Sequence, residues 1–304
     1  MWGEPSSFVI PGLTRGPASS WRGTEAGPRL KAGVTRYLSR RKATLAATGL
    51  LGLGAIAILV AERRRPRRAS VVPDRVRLPV NVALGAMSAA AMAATEAPAS
   101  RRAARWAERR GVGIAQMLPL SPLARDAAGF LLMDYTTYLW HVLTHKVPWL
   151  WRLHLVHHID QELDASTALR FHAADMAVSA PFRVLQVLVS GASPRALEVW
   201  RNWFLLAILF HHSDWRLPGE WDRRLAWVIT TPHMHGVHHR GRPELTGSNW
   251  SSGLSFWDRL HGTFRLDSDD GAIGVPAYRE PMGVAASLQL PFTRQRDAWA
   301  GTDA

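Results

Sequence analysis

The chain has 304 residues, 47% of them hydrophobic, with 37 lysines and arginines against 24 acidic residues, a net charge of +13, and no cysteine. The absence of cysteine excludes disulfides, thiolate zinc sites, iron–sulfur clusters and cysteine nucleophiles, so any metal must be held by nitrogen and oxygen. A basic balance raises the question of nucleic acid, but the arginines gather at the ends of apolar runs, where lipid headgroups account for them more simply. No nucleic-acid partner is expected.

In chain order, residues 1–35 are rich in Gly, Pro, Ser and Arg without periodicity and read as a disordered basic tail. Residues 36–112 hold two apolar runs and a basic segment. Ala43 to Ala61 is an uncharged run of 19 residues and Leu78 to Thr95 one of 18, each long enough to cross a hydrocarbon core of about 30 Å. The first is flanked by Arg40, Arg41 and Lys42 and by Arg63, Arg64, Arg65, Arg67 and Arg68, which marks a retained anchor rather than a cleaved signal. Because both flanks are basic, charge asymmetry leaves the topology open. Arg101 to Val112 reads as a basic amphipathic helix on the membrane surface.

Residues 113–270 read as the catalytic domain. Ala127 to Lys146 is apolar at first and then carries Asp134, Tyr138, His141 and His145. A second helix holds Trp151 to His158, followed by Asp160, Glu162 and Asp164 and by Thr167 to His172. Ala177 to Val189 is broken by Pro181 and Arg183, and with Trp203 to Phe210 reads as re-entrant, interfacial or core helix rather than a clean span. The second of these ends in His211 and His212. Thr231-Pro232 opens the last histidine group, Pro suiting the first turn of a helix. Residues 271–304 read as a peripheral tail.

Nine of the 13 histidines lie between His141 and His158 or between His233 and His239. They form HVLTH (His141, His145), HLVHH (His154, His157, His158) and HGVHH (His235, His238, His239). Helix positions three and four apart share a face, so each group aims two or three imidazoles at one point. One zinc takes three or four protein ligands; eight imidazoles are too many for one ion, and two neighbouring metals is the economical reading. Soluble di-iron bundles use Glu and Glu-x-x-His, whereas these three motifs contain no carboxylate.

The order HVLTH, HLVHH, HHSDW, HGVHH resembles the membrane fatty acid hydroxylase and sterol desaturase superfamily over residues 127–265. Asp134 and Tyr138 before the first box, Trp151-Arg152-x-His154, Arg170-Phe-His172, Thr231-Pro232, Asn249 and Phe256 to Thr263 agree with its further motifs. His261 stands where that pattern has an aromatic residue, and His211 and His212 are adjacent where it has one histidine or a spaced pair. The resemblance implies an all-α integral membrane bundle with a histidine-rich cap facing the cytoplasm. It also implies two iron ions, replaceable by zinc in a purified sample, that use O2 to oxidise a lipid C–H bond by hydroxylation or desaturation. The lipid would enter from the bilayer, and electrons would come from an external ferredoxin or cytochrome system.

The expected ligands are His141, His145, His154, His157, His158, His235, His238 and His239, joined by His212 or His211, with His172 and His233 as further candidates. His212 is preferred because His212-Ser213-Asp214 matches an H-S-N segment of the resemblance. Asp134, Asp160 and Asp258 are candidates to hold the outer nitrogens of ligand histidines; Asp134 stands out as an acid in an apolar helix. Two alternatives fit the motifs less well. A zinc hydrolase needs H-E-x-x-H, but Val, Leu and Gly occupy the glutamate slot. A metal transporter needs polar residues along the spans, and the histidines lie outside them.

Overall fold

The computed structural model describes residues 28–266 and 271–300, with side chains from Leu45 onward. Residues 1–27, most of the expected tail, lie outside the described residues. Contacts divide the chain into one unit up to Gly49 and a second from Leu50. The described residues are helical, with three isolated bridges and no strand.

Helix α1 (Pro28–Arg64) already includes residues 28–35, assigned above to the tail. Pro28 supplies a preorganised first turn, and the Leu, Lys, Ala and Arg that follow are good helix formers. Helix α2 (Asp74–Ala94) contains the second apolar run. Leu50, Leu53, Ile56 and Leu59 on α1, and Val76, Leu78 and Val82 on α2, are exposed, as a lipid-facing surface requires.

Helix α3 (Glu96–Arg110) starts before the expected amphipathic segment and is more than a surface element. It buries Ser100, Ala104 and Ala107 while Arg101, Arg102, Arg105, Arg109 and Arg110 stay exposed. Helix α4 (Ile114–Met117) is a short turn leading to α5 (Pro122–Lys146) and α6 (Pro148–His158). Ser121 caps α5 by accepting from the Ala124 N–H, with Pro122 at the first position.

Helices α7 (Ala173–Ser190) and α8 (Pro194–His212) follow, joined by Gly191, Ala192 and Ser193. Contrary to the broken reading of residues 177–189, α7 is continuous. Its Arg183 turns inward: Nη1 donates to Thr137 Oγ1 at 3.1 Å, Nε lies 4.0 Å from Glu96 Oε1, and the guanidinium sits 4.6 Å from the Trp200 ring centroid. A charge paired in this way is compatible with an apolar helix. Among the described residues, three segments are long and apolar enough to cross a membrane: Leu45–Arg64, Asp74–Met117, which takes in α2 to α4, and Ala173–Ser190. Close packing at the α7 end depends on glycine. Gly191 has φ 68°, and a Cβ on Gly113 would lie 2.4 Å from the Gly191 Cα.

Short helices α9 (Gly219–Leu225), α10 (Pro232–His238), α11 (Pro243–Thr246), α12 (Phe256–Leu260) and α13 (Val284–Gln289) complete the fold. One core joins Met133, Val187, Leu197 and Trp200 with Ala104, Ala192 and Ala196. A second joins Leu84, Leu155, Val156 and Ile159 with Val275, Tyr278, Leu290 and Ala298. Each large apolar side chain buried there contributes about 1.5–3 kcal/mol. Residues 271–300 are therefore a packed strap, not a peripheral tail. Arg152 ties the strap to α6 through Nε to the Pro291 carbonyl at 2.8 Å and Nη2 to the Thr293 carbonyl at 2.6 Å. The irregular spacing of its apolar residues leaves no period to read in sequence.

Candidate metal centre

The centre is built where four helix ends meet. Val147 alone separates α5 from α6, so HVLTH at the end of one helix faces HLVHH on the next. His212 is the last residue of α8. Thr231 caps α10 by accepting from the Met234 N–H, with Pro232 at the first position, and this short helix presents His235 and His238, with His239 directly after it.

The histidines fall into two groups. Ring nitrogens of His141, His145, His154 and His158 lie within 4.8 Å of one another, and so do those of His157, His212, His235 and His239. A third set, His158, His238 and His239, joins them. The His238 ring packs on His141 and His145 at centroid distances of 4.6 and 4.8 Å, and His158 stacks on His239 at 4.4 Å. Helical spacing alone makes each pair; the packing of α5, α6, α8 and α10 brings the pairs together.

Hydrogen bonds fix several tautomers. Nδ1–H donates to the carbonyls of Trp250 from His141 (2.8 Å), of Ser248 from His238 (2.8 Å) and of Ile208 from His212 (2.7 Å). Each of these rings therefore carries a bare Nε2. Nε2 of His145, His154, His158 and His238 is buried without a hydrogen-bond partner. In the second group, Nε2 of His212 lies 3.1 Å from that of His157 and 3.0 Å from that of His235, which is 3.0 Å from that of His239.

Burial pushes His141, His145, His157, His158, His235 and His239 well below the usual imidazole range, and neighbouring imidazoles add to the effect. His212 and His238 are pushed down to about 3, again chiefly by burial. Each neutral ring has a single N–H, and where Nδ1–H is committed to a carbonyl, as in His141, His212 and His238, Nε2 presents a lone pair to its neighbours, an arrangement that fits a cation between them. Imidazole nitrogen suits iron, zinc and copper alike. Metal–nitrogen distances of about 2.0–2.1 Å would hold tetrahedral ligands about 3.3 Å apart, close to the spacing in the second group.

Not every candidate joins these groups. His211 is buried beside His235, at a ring-centroid distance of 4.1 Å, yet belongs to neither; His212 does. His172 is engaged on both nitrogens, Nδ1 accepting from the Ala174 N–H at 3.0 Å and Nε2–H donating to the Leu288 carbonyl at 3.1 Å. His233 lies 2.7 Å through Nδ1 from Asp222 Oδ2, outside both groups. His261 stacks between Tyr135 and Tyr138.

The acids also differ from expectation. Asp134 contacts no cluster histidine. Its Oδ2 accepts from the Leu254 N–H at 3.0 Å and Trp257 Nε1–H at 2.9 Å, and burial pushes its pKa up to about 6. Asp160 instead takes Arg77 Nη1 and Asn81 Nδ2, both at 3.0 Å, tying α2 to the segment after α6. Asp258 accepts from the N–H groups of Trp250 (2.8 Å) and Ser251 (3.0 Å) and so acts on His141 only through the Trp250 peptide. The acid that does reach a cluster histidine is Asp175, Oδ2 lying 3.5 Å from Nδ1 of His154. Asp175 is not among the acids the motifs single out, yet it carries the same signal as Asp134, an acid in an apolar helix. Trp250, 2% exposed and packed on His141, His145 and His238, and Phe171, stacked on His157 at 4.4 Å, were missed as well. Nothing in an isolated Trp or Phe marks a wall of a metal centre.

Comparison with known proteins agrees with this geometry. Residues 127–263 match the fatty acid hydroxylase family model. The chain is 30% identical over 146 residues to alkylglycerol monooxygenase of Xenopus tropicalis, covering 48% of this chain and 32% of that protein. It is 28% identical over 172 residues to ornithine lipid hydroxylase OlsE of Rhizobium tropici, covering 55% and 50%. It is 28% identical over 138 residues to cholesterol 25-hydroxylase of Rattus norvegicus, covering 44% and 45%. The chain thus spans a third to a half of the length of these relatives. No solved structure matches the chain. The match to the fatty acid hydroxylase family model, over residues 127–263, takes in all nine grouped histidines.

Proposed function

We propose that the protein is a membrane-bound, O2-dependent oxidoreductase that hydroxylates or desaturates a C–H bond of a lipid, using two iron ions held by the nine grouped histidines. The observation that carries this reading is the convergence of buried, neutral imidazoles into two adjacent sets with bare nitrogens. His141, His145, His154, His158 and His238 would hold one ion, and His157, His212, His235 and His239 the other. Iron would supply O2 activation, and zinc can take its place in a purified sample.

The chain's own residues do the rest. Backbone carbonyls at Trp250, Ser248 and Ile208 keep three rings in the ligand tautomer. Trp250 and Phe171 wall the centre, and burial of His157, His158, His235, His238 and His239 at 2% exposure or less keeps water out. The three candidate spans favour a substrate drawn from the bilayer, and the relatives named above act on alkylglycerol, an ornithine lipid and cholesterol. The described residues 127–263 contain no flavin, haem or iron–sulfur motif, which supports an external ferredoxin or cytochrome donor reaching a cytoplasmic cap.

The test is comparative lipid extraction from cells carrying the intact protein or a His157→Ala/His238→Ala variant, with iron measured in both proteins. A lipid with a new hydroxyl or double bond, present only with the intact protein, is the expected result. Stoichiometric zinc with no iron-dependent lipid oxidation would refute it.

A further inference from the structure

One buried carboxylate is left unexplained by the ligand set. Asp175, 1% exposed, lies in the first turn of α7, and its side chain hydrogen-bonds to Nδ1 of His154. A carboxylate removed from water without a partner is costly, so its place demands a compensating role. His141, His212 and His238 direct Nδ1 to backbone carbonyls; His154 alone among the grouped histidines is given an acid.

We propose that Asp175 is a positioning residue for His154, and that His172 and the C-terminal strap hold it there. Asp175 Oδ2 accepts a hydrogen bond from Nδ1–H of His154, which keeps its proton. That leaves Nε2, buried and without a partner, as the bare nitrogen turned toward His141, His145 and His158. A carboxylate on the outer nitrogen also makes the ring a stronger ligand.

The orientation of Asp175 is set by the start of α7. His172 is the N-cap: its Nδ1 accepts from the Ala174 N–H, and its carbonyl accepts from the Asp175 N–H at 2.9 Å. The His172 ring is held in turn by the strap, through the Leu288 carbonyl at 3.1 Å and an edge contact with Phe292 at 5.7 Å. Leu288 and Phe292 lie beyond residues 127–263, so the strap acts on the metal centre through two residues that touch no metal. His172, a ligand candidate by sequence, is a cap.

The inference rests on the two-metal reading and is tested by metal binding. Ferrous iron is titrated anaerobically into the full chain against a competing chelator, with thermal melting of the metal-free proteins alongside. The intact protein is expected to hold two irons. Asp175→Ala weakens one of them by about 10–100-fold and leaves the other unchanged. Asp175→Asn, whose amide oxygen still accepts from Nδ1–H, weakens the same iron by a smaller factor. His172→Ala follows Asp175→Ala in direction, and His172→Asn, which still caps Ala174, loses less. Two irons at unchanged affinity in Asp175→Ala overturn the proposal; where that variant does not fold, unchanged affinity in Asp175→Asn does so. An intact chain that binds no iron would instead sink the two-metal reading itself.

Discussion

Nδ1 of His141 lies 2.8 Å from the carbonyl oxygen of Trp250, a residue 109 positions further along the chain. That contact makes a loop, not a helix, responsible for the tautomer of a grouped histidine. The loop is held by Asp258, which takes the N–H groups of Trp250 and Ser251 and, at 2.7 Å, the hydroxyl of Thr263. Hydrogen bonds to a charged group contribute about 1.5–3 kcal/mol each. Asp258→Ala is therefore expected to lower the melting temperature and, in the folded fraction, to weaken iron at the His141 group. Thermal melting and iron content check the two effects separately.

Of the adjacent pair His211 and His212, only the second belongs to a group. His212→Ala is expected to leave one iron per chain, and His211→Ala two. Metal analysis of the purified variants decides it, and the opposite pattern would exchange the two assignments.

Gly253 is pressed against Asp134. A Cβ there would lie 2.2 Å from Asp134 Oδ1 and 2.9 Å from Trp203 Nε1. Gly253→Ala should destabilise the protein by about 1–3 kcal/mol through overpacking. Thermal melting in detergent checks this, and an unchanged midpoint would contradict the packing.

Burial raises the Asp134 carboxyl from an ordinary value of 3.8 to about 6. The folded state then binds the proton more tightly than the unfolded state. Below about pH 4 both forms are protonated and Asp134 has no effect on the balance. Stability falls as pH rises from about 4 to 6, by up to roughly 3 kcal/mol, and this contribution is level above that window. Thermal midpoints across the window are expected to show the slope in the intact protein and less of it in Asp134→Asn.

Asn249 has φ 53°, in the left-handed region, and bonds Met234 and Arg265. Both Asn249→Ala and Asn249→Gly lose these bonds, but only Ala retains the backbone strain. The alanine variant is expected to be the less stable by about 1 kcal/mol, read from paired melting curves.

Much of this site was legible in the chain because helical spacing is local. HVLTH, HLVHH and HGVHH place their imidazoles on shared faces whatever else the protein does, and Thr231-Pro232 starts its helix by a side-chain cap within three residues. The apolar runs of α1 and α2 were readable for the same reason. Arg183 was misleading: a lone charge reads as a break, and only Thr137, Glu96 and Trp200, brought to it by α5, α3 and α8, make it an internal residue.

The partners of the acids were not legible, since Asp134 to Leu254 spans 120 positions and Asp160 to Arg77 spans 83. Nor was the strap, whose buried residues follow no period. Residue type and local spacing by themselves determined the apolar runs and the paired histidines suited to metals. Only the tertiary structure decided how those pairs divide into two groups, that His212 joins while His211, His172 and His233 do not, and that Asp175 faces His154. Distances across packed helices depend on the whole fold, whereas the rise and turn of one helix do not.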